Sequence, residues 1–143
     1  MSSVLVRVLA GSAFGLTSPV RTLSPTLYLD LNFAVASGAS LAVPAADERA
    51  LYSLDHDFEL DGVRVPACAM VVLAPGTQPV ISAPRGGRIV VIGGAPLGPR
   101  FVFWNFVSTR KERIVQAQDD WEAERFERVP GETECIPLPP RRS

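Results

Sequence analysis

Histidine is nearly missing from this chain: of its 143 residues, His56 alone carries an imidazole. Any metal centre or catalytic triad that draws on several histidines is therefore excluded. Two cysteines, Cys68 and Cys135, are too few for a disulfide scaffold. Charge is sparse as well. Charged residues make up 20% of the chain, and 14 Lys+Arg against 15 Asp+Glu leave a net charge of −1. That balance excludes a strongly basic nucleic-acid binder and an acidic disordered tail as descriptions of the whole chain, though not a local patch. Long apolar runs are lacking too: no stretch reaches the roughly 18 uninterrupted apolar residues of a membrane span. Residues 4–10 (VLVRVLA) contain Arg7, have no basic lead and are too short for a signal peptide. The expectation is a soluble, cytoplasmic protein whose two thiols are reduced, a Cys68–Cys135 disulfide being disfavoured there.

What the chain does have is 47% hydrophobic residues, enough to build one core at this length. Turn signals recur every eight to twelve residues up to residue 107, among them Ser18-Pro19, Ser24-Pro25, Asp61-Gly62, Pro75-Gly76, Gly86-Gly87, Gly93-Gly94 and Gly98-Pro99. Between them lie short runs rich in Val, Ile, Leu, Phe and Tyr, the pattern of an all-β sandwich or barrel. The spacing predicts strands at 4–10, 26–34, 40–44, 50–60, 63–66, 69–74, 77–82, 88–93 and 101–107. In 26–33 the odd positions Leu27, Leu29, Leu31 and Phe33 are apolar, so that face goes to the core and the Asp30/Asn32 side faces water. Asp61-Gly62 is a two-residue hairpin signal, because the tight turn needs positive φ. Strand 101–107 has Phe101, Phe103 and Val107 on one face and Val102, Trp104 and Phe106 on the other, so both sides should be covered.

Beyond residue 108 the pattern changes. Residues 109–128 hold eleven charged side chains and neither Gly nor Pro. Ile114, Ala117, Trp121 and Phe126 recur near the helical period, which predicts one helix over about 109–126. Thr109 or Ser108 is its expected N-cap, and Glu112 follows Thr109 at capping-box spacing. Residues 129–143 read as an extended tail with a polyproline-like end.

Taken together, several segments resemble the C-terminal domain of the pirin family, whose members look like two cupin barrels in tandem. They are Ser18-Pro19-Val20 with Pro25-Thr26-Leu27-Tyr28-Leu29-Asp30, Leu51-Tyr52-Ser53-Leu54 running to Asp61-Gly62, and Gly93-Gly94-Ala95-Pro96-Leu97-Gly98. The last is Phe103-Trp104-Asn105-Phe106-Val107, leading into Lys111-Glu112-Arg113-Ile114 and Asp120-Trp121. The resemblance runs from about residue 6 to 139. It implies an all-β fold, a cupin-type double-sheet β-barrel (jelly roll) over about 4–107, with one C-terminal α-helix, in a single domain spanning 1–143. It also implies that an N-terminal, metal-bearing cupin has no counterpart in this chain.

Active cupins carry their metal on two motifs. One has two histidines one residue apart, then a glutamate and a glycine; the other is Pro-any-Gly followed by His and Asn. By that resemblance, His56 stands at the first motif's glycine, Arg49 at its glutamate, and the paired histidines fall among Ala42 to Ala45. In the second motif Gly76 matches, while Pro79 replaces the histidine and Ala83 the asparagine. Ala, Val and Pro side chains offer no donor, and an arginine repels a cation. No metal, no cofactor and no catalytic residue is therefore assigned to this chain. His56 has no partner histidine. Extended backbone would turn Asp55 and Asp57 away from it, and a left-handed hairpin position suits it better than a general-base role. Cys68, before an apolar strand, reads as a small core residue, and Cys135 as exposed.

A partner surface is the remaining candidate. Arg110, Lys111 and Arg113 open the helix, and Asp119, Asp120, Glu122 and Glu124 follow in its second half, which opposes the helix dipole at both ends. Arg110, Lys111, Arg113 and Trp121 could meet another domain or subunit. The plainer alternative has Ile114 and Trp121 packing on residues 101–107 with the charges solvated. The resemblance implies three functions: a non-catalytic structural or binding module, half of a quercetinase-like dioxygenase whose metal (Fe or another transition metal) lies in the other half, or a protein-binding transcriptional cofactor. A homodimer, or a pair with a metal-bearing pirin N-terminal half, is expected. Membrane contact and direct nucleic-acid contact are not.

Overall fold

Strict alternation over residues 26–33 gives one strand two unlike faces, and the first sheet is organised around it. The computed structural model describes residues 4–36 and 38–140. In chain order the elements are β1 (Val4–Ala10), β2 (Ser12–Ala13), β3 (Leu16–Thr17), β4 (Thr26–Phe33), β5 (Ser40–Ala42), β6 (Glu48–Ser53), β7 (Phe58–Leu60), β8 (Val63–Val65), β9 (Met70–Val72), β10 (Val80–Ser82), β11 (Gly87–Gly94), β12 (Phe101–Phe103), β13 (Phe106–Ser108) and α1 (Lys111–Glu122). The chain divides into two units, Met1–Pro96 and Leu97–Ser143.

In the first unit, a five-stranded sheet of order β1-β4-β11-β6-β9 and a four-stranded sheet of order β5-β10-β7-β8 are both antiparallel. Their inner faces share one core, in which Leu29, Leu31, Leu51, Phe58, Ile81, Ile89 and Val91 are fully buried. Each such side chain contributes about 1.5–3 kcal/mol by leaving water. The predicted hairpin is present: β7 and β8 pair Leu60 with Val63 across Asp61 (φ 48°) and Gly62 (φ 78°). Positive φ at both turn residues matches the right-handed twist of the strands.

Three expectations change here. Residues 50–60 do not form one strand, because the chain bends at Leu54–His56 and passes from β6 in one sheet to β7 in the other. Gly93 and Gly94 are not a turn but the last residues of β11, pressed against a neighbouring strand. Nor does Asp30 face water. It is 2% exposed beneath Arg7, whose Nη1 donates to Oδ2 at 3.1 Å, and Arg88, whose Nε and Nη2 donate to Oδ1 and Oδ2 at 2.6 and 3.0 Å. The arginines come from β1 and β11, which the sheet lays on either side of β4.

In the second unit the predicted strand 101–107 is folded back on itself. The chain reverses at Trp104 (φ 53°) and Asn105, so that Phe103 opposes Phe106 and Val102 opposes Val107. Val102 and Val107 are 66% and 61% exposed, not covered. This hairpin packs with α1. The helix is also shorter than expected. Arg110 is its N-cap without a side-chain bond, and Ser108 Oγ accepts from the Arg110 N–H at 3.1 Å, so no capping box forms. At the other end Glu124 turns left-handed (φ 52°), and the Arg125 N–H bonds the Asp120 carbonyl at 2.8 Å. Ile114 and Gln118, one turn apart, are the buried positions of α1. The tail has a turn at Val129–Glu132 and no strand as far as residue 140; residues 141–143 lie outside the described residues.

Asp30 yields a test. The Arg88 hydrogen bonds, opposed by burial and helped by Arg7, hold its carboxyl below the usual range. A depressed folded-state pKa stabilises fully above the unfolded value, about 3.9, and the gain is lost as pH falls through and below that value. Asp30→Asn should lower stability at pH 7 by about 2 kcal/mol. It should also flatten the fall of Tm below about pH 4, as read by thermal melts across pH.

Candidate functional site

Alternation in β6 points Arg49, Leu51 and Ser53 into the barrel. Two of these suit a core strand; Arg49 does not, yet it is only 3% exposed. Its Nη1 donates to the Pro44 carbonyl at 3.1 Å and its Nη2 to the Thr77 carbonyl, and its own carbonyl accepts the Leu73 N–H at 2.9 Å. Its Nε is buried without a partner. Gly93 stands directly opposite in register. A Cβ there would lie 3.0 Å from Arg49 Cγ and 2.4 Å from the Glu48 carbonyl oxygen. Bare backbone at Gly93 is what lets the arginine stem pass.

The guanidinium thus ties residue 44 to residue 77, the two segments in which the cupin motifs would set their ligands. Beside it the Val43 N–H bonds the Pro79 carbonyl at 2.9 Å, and Val43 and Ala83 are 1% and 3% exposed. Among the described residues no three His, Cys, Asp or Glu side chains converge in a metal-holding group. The residues present do not fit a metal, since a second cation beside a buried guanidinium would be repelled in a low-dielectric interior.

His56 lies elsewhere, exposed in the bend between β6 and β7 and packed against Gly87. Its φ is not positive, so the left-handed expectation fails. Asp55 does reach it, Oδ1 lying 3.0 Å from Nδ1, and that hydrogen bond lowers the Asp55 pKa. Asp57 is turned away, as expected. It accepts the Ala67 N–H and the Arg64 and Arg85 guanidinium groups, which lower its pKa in turn. Cys68 is not a core residue. It is exposed, in a left-handed conformation (φ 61°), and its thiol bonds the Leu54 carbonyl at 3.1 Å. Burial and the neighbouring Cys68 push the Tyr52 phenol up. Both cysteines are free and exposed.

The candidate partner residues occupy two places. Arg110, Lys111 and Arg113 are exposed at the start of α1. Trp121 is ten residues beyond Lys111, about 15 Å along the axis. There it sits in an aromatic cluster, with ring centroids 5.0 Å from Trp104 and 5.6 Å from Phe126, which itself stacks on Phe106 at 5.8 Å. Trp121 Nε1 donates to the Ile136 carbonyl at 2.8 Å and so holds the tail across the helix end. A cavity of about 280 Å³ lies between them, lined by Trp121, Phe126, Val129 and Ile136 among others.

Two outcomes follow. Arg49→Ala leaves two carbonyls and a cavity unfilled and should lower stability by about 3 kcal/mol, measured by urea denaturation. Trp121→Leu removes the edge-on Trp104 contact and the tether to Ile136, so near-ultraviolet circular dichroism should collapse while the far-ultraviolet β signal stays.

Comparison with known proteins adds three findings. A model of the pirin C-terminal cupin domain matches residues 28–127. A pirin-like protein of Caulobacter vibrioides is 41% identical over 136 residues, covering 93% of this chain and 46% of that protein; one of Solanum lycopersicum is 32% identical over 125 residues, covering 83% and 43%. The crystal structure of a quercetin 2,3-dioxygenase from Acinetobacter baumannii superposes with a TM-score of 0.86 at 26% identity, over 100% of this chain and 49% of that one. The chain spans about half the length of the relatives it matches. No helix among the described residues is long and apolar enough to cross a membrane. The double-sheet barrel is a cupin fold, and the chain belongs to the pirin family, in which it corresponds to the C-terminal cupin domain.

Proposed function

We propose that this chain is a metal-free pirin-type C-terminal cupin that acts as a structural or binding module without catalysis of its own, in the cytoplasm. Arg49 carries this reading: a buried guanidinium bonded to the Pro44 and Thr77 carbonyls takes the place where a cupin would hold a metal-binding carboxylate. The free, exposed thiols of Cys68 and Cys135 suit a reducing compartment. The near-neutral charge favours contact with protein, as in a transcriptional cofactor, over contact with nucleic-acid phosphates. Metal analysis of the purified chain tests the reading. No stoichiometric metal is expected, and chelator should leave Tm unchanged; one tightly bound transition metal per chain overturns it.

A second reading rests on the Acinetobacter baumannii structure, of which this chain covers half. Here the chain is one half of a dioxygenase of the quercetin 2,3-dioxygenase type, whose metal lies in an N-terminal cupin. The chain alone should then show no O₂-dependent quercetin turnover, and adding the N-terminal half of a pirin should restore it. Failure of the two halves to associate overturns this reading.

A further inference from the structure

The two sheets of the barrel differ on their outer sides. On the four-stranded sheet a row of Ser82, Glu59 and Arg64 faces out, polar throughout. On the five-stranded sheet one outward row runs through Tyr28, Ile92 and Ala50 to Val72, and the next from the Arg7–Asp30 ion pair through Val90 and Tyr52 to Met70, so that the second row is apolar only over β11, β6 and β9. Tyr28 and Ile92 are 40% and 42% exposed, and Met70 and Val72 57% and 74%. Scattered apolar side chains are ordinary on a surface, but two adjacent rows in register form a patch, and patches of this kind mark contact sites.

Size and charge point to the occupant. Strands about 4.8 Å apart and three to eight residues long, at about 3.3 Å per residue, present on the order of 500 Å² in plan, the scale of the roughly 800 Å² of accessible surface per partner in a stable dimer. Glu48, exposed on β6, opposes Gly94 at one end of the face. Arg88 on the adjoining β11 is at the other end, six residues or about 20 Å away. Arg88 spends two of its five N–H donors on Asp30 and keeps the others toward solvent. A two-fold axis lying in the face, perpendicular to the strands, exchanges the two ends. It lays Glu48 of one copy laterally within a strand spacing of Arg88 of the other, twice per pair, while the apolar parts of the two rows, on β11, β6 and β9, meet between them.

We infer that the outer face of the five-stranded sheet is a self-association surface, where a second copy of this chain packs face to face with its strands reversed. The inference rests on the binding-module reading and names its surface. Sedimentation equilibrium of the intact chain tests it. The wild type should be a dimer at about 100 µM, and Ile92→Glu should weaken association about 100-fold with unchanged circular dichroism and Tm. Val72→Lys, at the exposed edge, serves as a second variant should Ile92→Glu misfold. Glu48→Arg should weaken the pair and reverse the salt dependence of this contact, added salt then relieving the Arg–Arg repulsion. Ala42→Glu, on the outer side of the other sheet, should leave the dimer intact. A dimer that survives both Ile92→Glu and Val72→Lys overturns the assignment of the face while the module reading stands. A chain that stays monomeric at that concentration overturns self-association, even if it binds a pirin N-terminal half through the same residues. A bound metal overturns the module reading without touching the dimer result.

Discussion

Burial of two inward-facing strand surfaces against one another is the constraint on which the barrel depends. Leu29, Leu31, Ile89, Val91 and Leu51 from one sheet meet Phe58, Ile81 and Val43 from the other, and none is more than 1% exposed. Side chains alternate across a strand, so a register slip of one residue would turn this whole set outward. The antiparallel pairing of β4 with both β1 and β11 follows from the need to keep them inside. So does the inward aim of Arg49, which shares a face of β6 with Leu51 and Ser53.

Arg49 is the costliest residue of the core. An arginine in a core strand is costly unless its donors are met, because a buried charge loses its water. Two main-chain carbonyls meet the terminal nitrogens, and Gly93 gives way to the stem. The cross-link joins residues 44 and 77, segments that a metal would bridge through imidazole and carboxylate in a metal-bearing cupin. The positive group at that place is the covalently attached guanidinium of Arg49.

Much was legible in order along the chain. Most strand positions, the Asp61-Gly62 hairpin and the presence of one C-terminal helix followed from local periodicity and turn chemistry, and the motif residues quoted above carried the family. The errors have physical causes. Trp104-Asn105 makes a tight turn without glycine, so residues 101–107 read as one strand; Asn is turn-capable, but two apolar faces outweighed it. The helix end at Glu122 depends on a left-handed Glu124, which composition does not announce. Cys68 read as core because an apolar strand follows it, and its left-handed backbone holds it outside. At the candidate site, residue types alone showed that Ala42 to Ala45, Arg49 and Pro79 offer no imidazole or carboxylate. They did not show what Arg49 bonds to, since Thr77 is 28 residues away.

The sequence by itself determined which faces are apolar, where turns interrupt them and which donor atoms exist at all: one imidazole cannot become three, whatever the fold. Only the tertiary structure decided which distant residues meet. It placed Arg7 and Arg88 over Asp30, set Arg49 between Pro44 and Thr77, and left Tyr28, Ile92, Met70 and Val72 together on one outer face. Periodicity reports which side of a strand a residue takes, but the sheet order, settled by long-range pairing, assigns its neighbours across strands.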